Sequence, residues 1–278
     1  MPTAPTPVQL YRIDYRTAER AFFSPPHRHP VAEIFFFVAG EGTHYIDFTA
    51  HPIRANAVFL VAPQQVHYIE APAHSHNVGY VVSFDTALLD VLDPGLRSLF
   101  GSFTQPPAYQ LPDGPATLLR LALAQLADEL GADLPRSGSV AKLIIDLLLT
   151  YTFRAGASVP LPDARPSMAE AQFAQLMTGI EADYERPRSV QRYADRLNIT
   201  PRQLNRICRQ VRGQSALTVI HQRIALEAKR LLFYSAEPVK EIAYRLGFKD
   251  PAHFTHFFRR EAGLAPESFR AQMAQIRK

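Results

Sequence analysis

The chain has 278 residues, 47% of them hydrophobic and 20% charged, a globular composition with room for two domains of ordinary size. A single cysteine, Cys208, excludes an internal disulfide and a cysteine-based zinc cluster and fits a reducing compartment. The net charge of +4 is unevenly divided: residues 1–167 carry 11 Lys and Arg against 15 Asp and Glu (−4), and residues 168–278 carry 19 against 11 (+8). A split of this kind points to a polyanion-binding module in the second half.

The opening "MPTAPTPVQLYRIDY" has no basic start followed by an apolar run, so no signal peptide is expected. Apolar runs such as "LIIDLLL" are too short to span a bilayer. The expected setting is the cytosol, without membrane contact.

Residues 8 to about 84 predict β-structure. Short apolar runs ("EIFFFVAG", "THYIDF", "AVFLVAP", "VGYVVSF") alternate with Gly, Pro and Asn at the spacing of a small barrel or sandwich. "GEG" at 40–42 predicts a hairpin. Just before the first run, "PPHRHPVAE" (25–33) places His27, His29 and Glu33 at one parity, hence on one face of an extended strand, and Phe35 and Phe37 continue it. His44, Ile46 and Phe48 share a face of the next strand, with Tyr45 and Asp47 opposite. His67, in "APQQVHY", follows at the distance of a returning strand. Apolar walls with a few convergent polar groups suit a small organic molecule. The candidate effector-binding residues are therefore His27, His29, Glu33, Phe35, Phe37, His44, Ile46 and His67. By spacing alone His44, His51, His74 and His76 match no ligand pattern and read as surface or turn residues.

From Asp85 the apolar period lengthens to three and four, predicting helices over 115–130 and 140–153. Leu119, Leu123, Leu126 and Leu130 line the first; Leu143, Ile144, Leu147, Leu148 and Tyr151 line the second. The pair can cover the barrel, join a second subunit, or both. "RAGASVPLPDARPS" (154–167) reads as a linker, and the rest is helical.

The basic half contains a repeat. Val190, Ala194 and Leu197 match Val239, Ala243 and Leu246 at an offset of 49; Pro201, Leu204, Ile207, Cys208 and Gly213 match Pro251, Phe254, Phe257, Phe258 and Gly263 at 50. "TPRQ" supplies an N-cap, a first-turn proline and a capping-box glutamine, and "DPAH" offers Asp250 and Pro251 in the same roles. Arg202, Asn205, Arg206 and Arg209 fall on the outer face of the first second-helix; Ala252, Thr255, His256 and Arg259 fall on the outer face of the other. Such faces enter a DNA major groove, where Arg reads guanine and Asn reads adenine. Between the units, Leu217, Ile220, Ile224, Ala228 and Leu231 form the stripe of one helix over 215–232, on the order of 27 Å long.

In "KRLL" (229–232), "IAYRLGF" (242–248), Phe254, "FFRREAG" (257–263) and "PESFR" (266–270) the chain resembles the AraC/XylS family of bacterial transcription regulators. The resemblance implies an α+β two-domain protein. Residues 1–155 form a cupin-like β-barrel with a helical dimerisation segment, 156–167 a linker, and 168–278 an all-α seven-helix domain with two helix-turn-helix units. Base-reading positions fall on Arg202, Asn205 and Arg206, and on Ala252, Thr255 and His256. His256 stands where arginine is usual and Ala252 offers only a methyl, so specificity is expected chiefly from the first unit. Ala265 replaces the usual Ser or Thr before Pro266. "HRHPVAE" with Gly40, and "PQQVH" with Gln64 in place of the usual glycine, resemble the two cupin motifs, which implies His27, His29, Glu33 and His67 as ligands of a divalent metal.

Four readings of these residues stay open: a metal-free pocket that hydrogen-bonds an effector, a metal that helps to hold it, a catalytic cupin, and exposed histidines before the strand with Pro30 breaking the alignment. The resemblance implies a cytoplasmic, nucleoid-associated homodimer that engages a double-stranded operator, a small organic effector and RNA polymerase, with no required cofactor. It also suggests an N-terminal arm (Pro2–Val8) folding over the pocket. A constitutive dimeric regulator and a metal-dependent enzyme fused to a DNA-binding domain are the alternatives.

Overall fold

The computed structural model describes residues 8–16, 22–100, 107–132, 135–156, 167–183 and 189–275. They form two compact units divided between Leu161 and Pro162. Most of the proposed arm (Pro2–Pro7) and residues 157–166 of the expected linker lie outside the described residues.

The first unit contains two antiparallel sheets. One has the order β1(Val8–Arg16), β8(His76–Phe84), β3(Ala32–Ala39), β6(Ala57–Val61), β9(Ala108–Gln110); the other runs β2(Phe22–Phe23), β7(His67–Ala71), β4(Gly42–Ile46), β5(Thr49–Ile53). The expected barrel is therefore a sandwich: among the described residues no ladder joins one sheet to the other. The edges explain this. β2 and β9 are two and three residues long, and β5 carries Pro52, which has no N–H to offer.

The five-stranded sheet is covered on both faces. Phe35 and Phe37 of β3 and Phe59 and Val61 of β6 meet Ile46, Ile53 and Ile69 of the other sheet. Ile34, Phe36, Val58 and Leu60 point the opposite way, into a core with α3(Asp113–Gly131) and α4(Ser137–Gly156). Double burial is why "IFFFVA" (34–39) is continuously apolar rather than alternating. Two short helices, α1(Thr86–Asp90) and α2(Pro94–Arg97), lead from β8 toward this layer.

Three local expectations change. "GEG" does not close a hairpin: β3 and β4 lie in different sheets, so the chain crosses between layers there. Gly42 has φ of 134°, and a Cβ on it would come within 2.3 Å of the Glu70 carbonyl, so glycine is required at the crossing. Phe48 does not extend the strand of His44 and Ile46; Asp47 and Phe48, with φ of 46° and 70°, form the two-residue turn between β4 and β5. On α4 the buried stripe is Ala141, Ile144, Ile145, Leu148 and Leu149, while Leu143 is 65% exposed.

The second unit consists of α5(Met168–Asp183), α6(Val190–Arg196), α7(Pro201–Arg212), α8(Ala216–Tyr234), α9(Val239–Arg245), α10(Pro251–Ala262) and α11(Pro266–Ala274). The repeat is structural. α6 and α9 have seven residues each and α7 and α10 twelve, and Gly213 and Gly263 end the longer helices at φ of 68° and 77°. Thr200 and Gln203 close a capping box on α7, and Asp250 caps α10 through the Ala252 N–H. On α8 Leu217 is exposed; the buried line runs through Ala216, Val219, Ile220, Ile224, Ala228 and Leu231.

Candidate functional site

His27 and His29 precede β3. Their segment is paired with the chain leading into β7: His27 and His67 exchange backbone hydrogen bonds of 3.1 and 3.0 Å, and the Gln64 N–H donates to the His29 carbonyl. The chain then bends at Pro30–Val31 and enters the other sheet, where Glu33 sits on β3. The three residues do not share one strand face, contrary to their parity. Crossing between sheets brings them together instead. Gln64 adopts φ of 64°, the conformation that glycine takes without strain.

His27, His29 and His67 each place a ring nitrogen within 4.8 Å of the others. His29 Nε2 and His67 Nε2 are 3.1 Å apart, and Glu33 Oε2 lies 3.0 Å from the first and 3.6 Å from the second. The backbone settles which nitrogens are bare. His27 Nδ1 is 3.0 Å from the Pro25 carbonyl and His29 Nδ1 is 3.1 Å from the Val31 carbonyl. A carbonyl only accepts, so each Nδ1 carries the hydrogen and, in the neutral ring, Nε2 offers a lone pair. Glu33 Oε2 is buried and, with these rings neutral, has no hydrogen-bond donor among the described residues. A bare imidazole nitrogen 3.0 Å from a carboxylate oxygen requires a cation between them, either a proton or a metal. The Glu33 carboxylate accordingly raises the His29 pKa above the ordinary histidine value.

The metal alternative can be tested on distances. An ion about 2.1 Å from two ligands separates them by about 3.0 Å at a right angle and about 3.4 Å at a tetrahedral angle. Among His29, His67 and Glu33 the edges of 3.0 and 3.1 Å fall in this range, and that of 3.6 Å is slightly wider. Three imidazoles and a carboxylate suit Fe, Mn, Ni or Zn.

Behind this cluster lies the apolar interior. His67 is buried, and its Nδ1 is 3.3 Å from Nε2 of His44, which is itself fully buried. Phe35 and Phe59 pack edge-on against the His44 ring at 4.7 and 5.0 Å. Burial pushes the His44 pKa down to about 3 and drives that of His67 further below the ordinary value. The eight candidate effector residues are thus contiguous: His27, His29 and Glu33 at the rim, His67 and His44 in the middle, Phe35, Phe37 and Ile46 behind. A surface reading of His44 does not hold, whereas His76 is exposed and His74 occupies a positive-φ turn.

In the basic unit, α7 and α10 share an identical order of exposed and buried positions over their first ten residues. Arg202, Arg206 and Arg209 are exposed and form no ion pair among the described residues; Ala252, His256 and Arg259 occupy the matching positions. Asn205 is different. Its side chain donates to the Pro201 carbonyl and accepts from the Ala216 N–H, so it ties α7 to the start of α8. Thr255, its counterpart, donates to the Pro251 carbonyl. Both sit half-buried, turned from the outer face. Gln203 and His253 are exposed there instead, although the sequence reading passed over them.

A buried ion network also escaped that reading. Arg223, Glu227 and Arg230 of α8 are each under 5% exposed. Arg223 is gripped by Glu181 of α5 and by Glu227, which also pairs with Arg230. Their three- and four-residue spacing inside an apolar helix was the available signal.

Comparison with known proteins gives the family. Residues 7–153 match the model of an AraC-like ligand binding domain, and residues 193–272 match a helix-turn-helix domain. The HTH-type transcriptional regulator GlxA of Rhizobium meliloti is 30% identical over 153 residues, 53% of this chain and 44% of its own. The HTH-type transcriptional activator RhaS of an Enterobacter species is 33% identical over 101 residues, 36% of each chain. The matched stretches span less than half the length of these relatives. Among solved structures, ToxT from Vibrio cholerae with a bound unsaturated fatty acid matches at 14% identity, with a TM-score of 0.46 and 97% of each chain covered. With the ligand-binding model covering more than half of its length, the chain belongs to the AraC family.

Proposed function

We propose that this protein is a sequence-specific, DNA-binding transcriptional regulator whose N-terminal unit binds a small ligand and pairs two copies of the chain. One observation carries the reading: a helix pair built twice, with Arg202, Arg206, Arg209 and Arg259 exposed on the outer faces of its second helices and in no ion pair among the described residues, in a half of net charge +8. Guanidinium groups so placed reach base edges and phosphates in successive turns of a major groove. GlxA and RhaS are transcriptional regulators by name, which supports a sensing rather than a catalytic role for the first unit.

The ligand site in this reading is the sandwich interior and its rim. His27, His29, Glu33 and His67 would hold a divalent ion, which when bound supplies Lewis-acid attraction for a ligand oxygen. The chain's own residues do the rest: Phe35, Phe37 and Ile46 exclude water, and His44 supports His67. Leu118, Leu121, Val140, Leu143 and Leu147 on α3 and α4 are exposed and supply an apolar face for pairing two subunits. A ligand regulates only if it binds two states of the protein unequally. Acting on RNA polymerase at a promoter in the cytoplasm completes the reading; among the described residues no helix is long and apolar enough to cross a membrane.

Footprinting of the purified chain on genomic fragments tests the proposal. A protected site that survives physiological salt is expected. Protection that vanishes equally on all sequences as salt rises would reduce the second unit to a non-specific polycation.

A further inference from the structure

The buried contact between His67 and His44 has consequences for both ends of the site. His67 uses one ring nitrogen, Nε2, at the rim, 3.1 Å from His29 Nε2 and 3.6 Å from Glu33 Oε2. Its other nitrogen, Nδ1, faces His44 Nε2 at 3.3 Å. One hydrogen is shared across that contact. If His44 Nε2 holds it, His67 Nδ1 accepts and His67 Nε2 must carry a hydrogen, so it cannot ligate. If His67 Nδ1 holds it, His67 Nε2 is a free lone pair and the His44 hydrogen moves to Nδ1. His44 Nδ1 is buried and has no hydrogen-bond partner among the described residues.

Resting on the metal reading above, we propose that His44 is a positioning residue. It accepts the Nδ1 hydrogen of His67, holds that ring in the ligating tautomer, and thereby turns its own Nδ1–H into a donor inside the sandwich. Metal at the rim and hydrogen-bond polarity in the interior are then two ends of one imidazole pair. With metal bound, the interior holds a donor at His44 Nδ1, among the rings of Phe35 and Phe59. Orienting partners of this kind matter: their removal lowers metal affinity by about 10–100-fold in other sites.

The test uses the full chain and Zn²⁺ as probe, with affinity read by competition against a chromophoric chelator. His44→Phe keeps the apolar packing and removes the acceptor; His44→Gln restores an acceptor oxygen. Far-ultraviolet circular dichroism reports folding of all three proteins. The expected result is a loss of zinc affinity of about 10–100-fold in His44→Phe and a smaller loss in His44→Gln. Long-range proton–nitrogen NMR of the zinc-loaded wild type should show the His44 hydrogen on Nδ1. Unchanged zinc affinity in a folded His44→Phe protein, or a hydrogen on His44 Nε2 in the zinc-loaded wild type, overturns the inference alone. Absence of zinc uptake by the wild type removes the metal reading and this inference with it.

Discussion

Glu181 on α5 and Arg223 on α8 are joined by two parallel hydrogen bonds of 2.6 Å, in which the buried guanidinium donates to both oxygens of one half-exposed carboxylate. The helix that begins the second unit is thereby fastened to the helix that separates the two DNA-facing pairs. Glu227 continues the network to Arg230, at the centre of the unit. Charges this deep are stable only together. Glu227→Ala should destabilise the second unit by about 3–5 kcal/mol, because it removes the carboxylate shared by two buried arginines. Urea unfolding followed by circular dichroism measures the change, and a loss under about 1 kcal/mol contradicts this account.

Asn205 and Arg206 are neighbours with opposite expected phenotypes. Arg206→Ala should cost about 1–3 kcal/mol of operator affinity and relax the preference at one base position. Asn205→Ala should leave base preference unchanged and lower stability by about 1 kcal/mol, since its amide joins two helix segments. Binding assays on a library of single-base operator variants separate the two outcomes.

The buried histidines predict acid sensitivity of the first unit. His44 is held neutral in the folded state, with its pKa lowered to about 3, and His67 shifts in the same direction. Unfolded chains take up these protons first, so stability is intact above the ordinary histidine value of about 6.5 and falls as pH drops below it. Each such group contributes a loss of about 1.4 kcal/mol per pH unit in that window. The transition assigned to the first unit should therefore move to lower temperature between pH 7 and pH 5. In His44→Phe the shift should be smaller; an equal shift means that other groups govern the response.

Leu121 and Leu143 stand 60% and 65% exposed on the paired helices. Leu121→Glu with Leu143→Glu should convert a dimer into a monomer in sedimentation equilibrium without loss of helicity, because both positions already face water in one chain. A dimer of unchanged strength would place the subunit contact elsewhere.

Much of this architecture was legible in the chain. The second unit follows its repeat almost residue by residue, because caps, first-turn prolines and left-handed glycines act locally. Phe36 and Phe37 show where such reading ends. Their apolar run marked a strand, but neither its burial on both faces nor the sheet it joined, since both depend on residues far along the chain. His27, His29 and Glu33 were nominated for a shared strand face, yet they meet because the chain changes sheets at Pro30. His44 was divided between two readings, because nothing near it in sequence reveals that it packs against His67. Asn205 belonged to the outer face by period alone, and only the start of α8 shows why its amide turns inward.

The matching exposure of α7 and α10 has a practical meaning. The two helices are interchangeable frames holding different letters: arginine and glutamine at 202, 203 and 206, alanine and histidine at 252, 253 and 256. Transplanting the first set onto the second changes no buried side chain. If these faces read bases as proposed, one polypeptide would carry two copies of the same reading head, and its preferred DNA would become a direct repeat of a single short word.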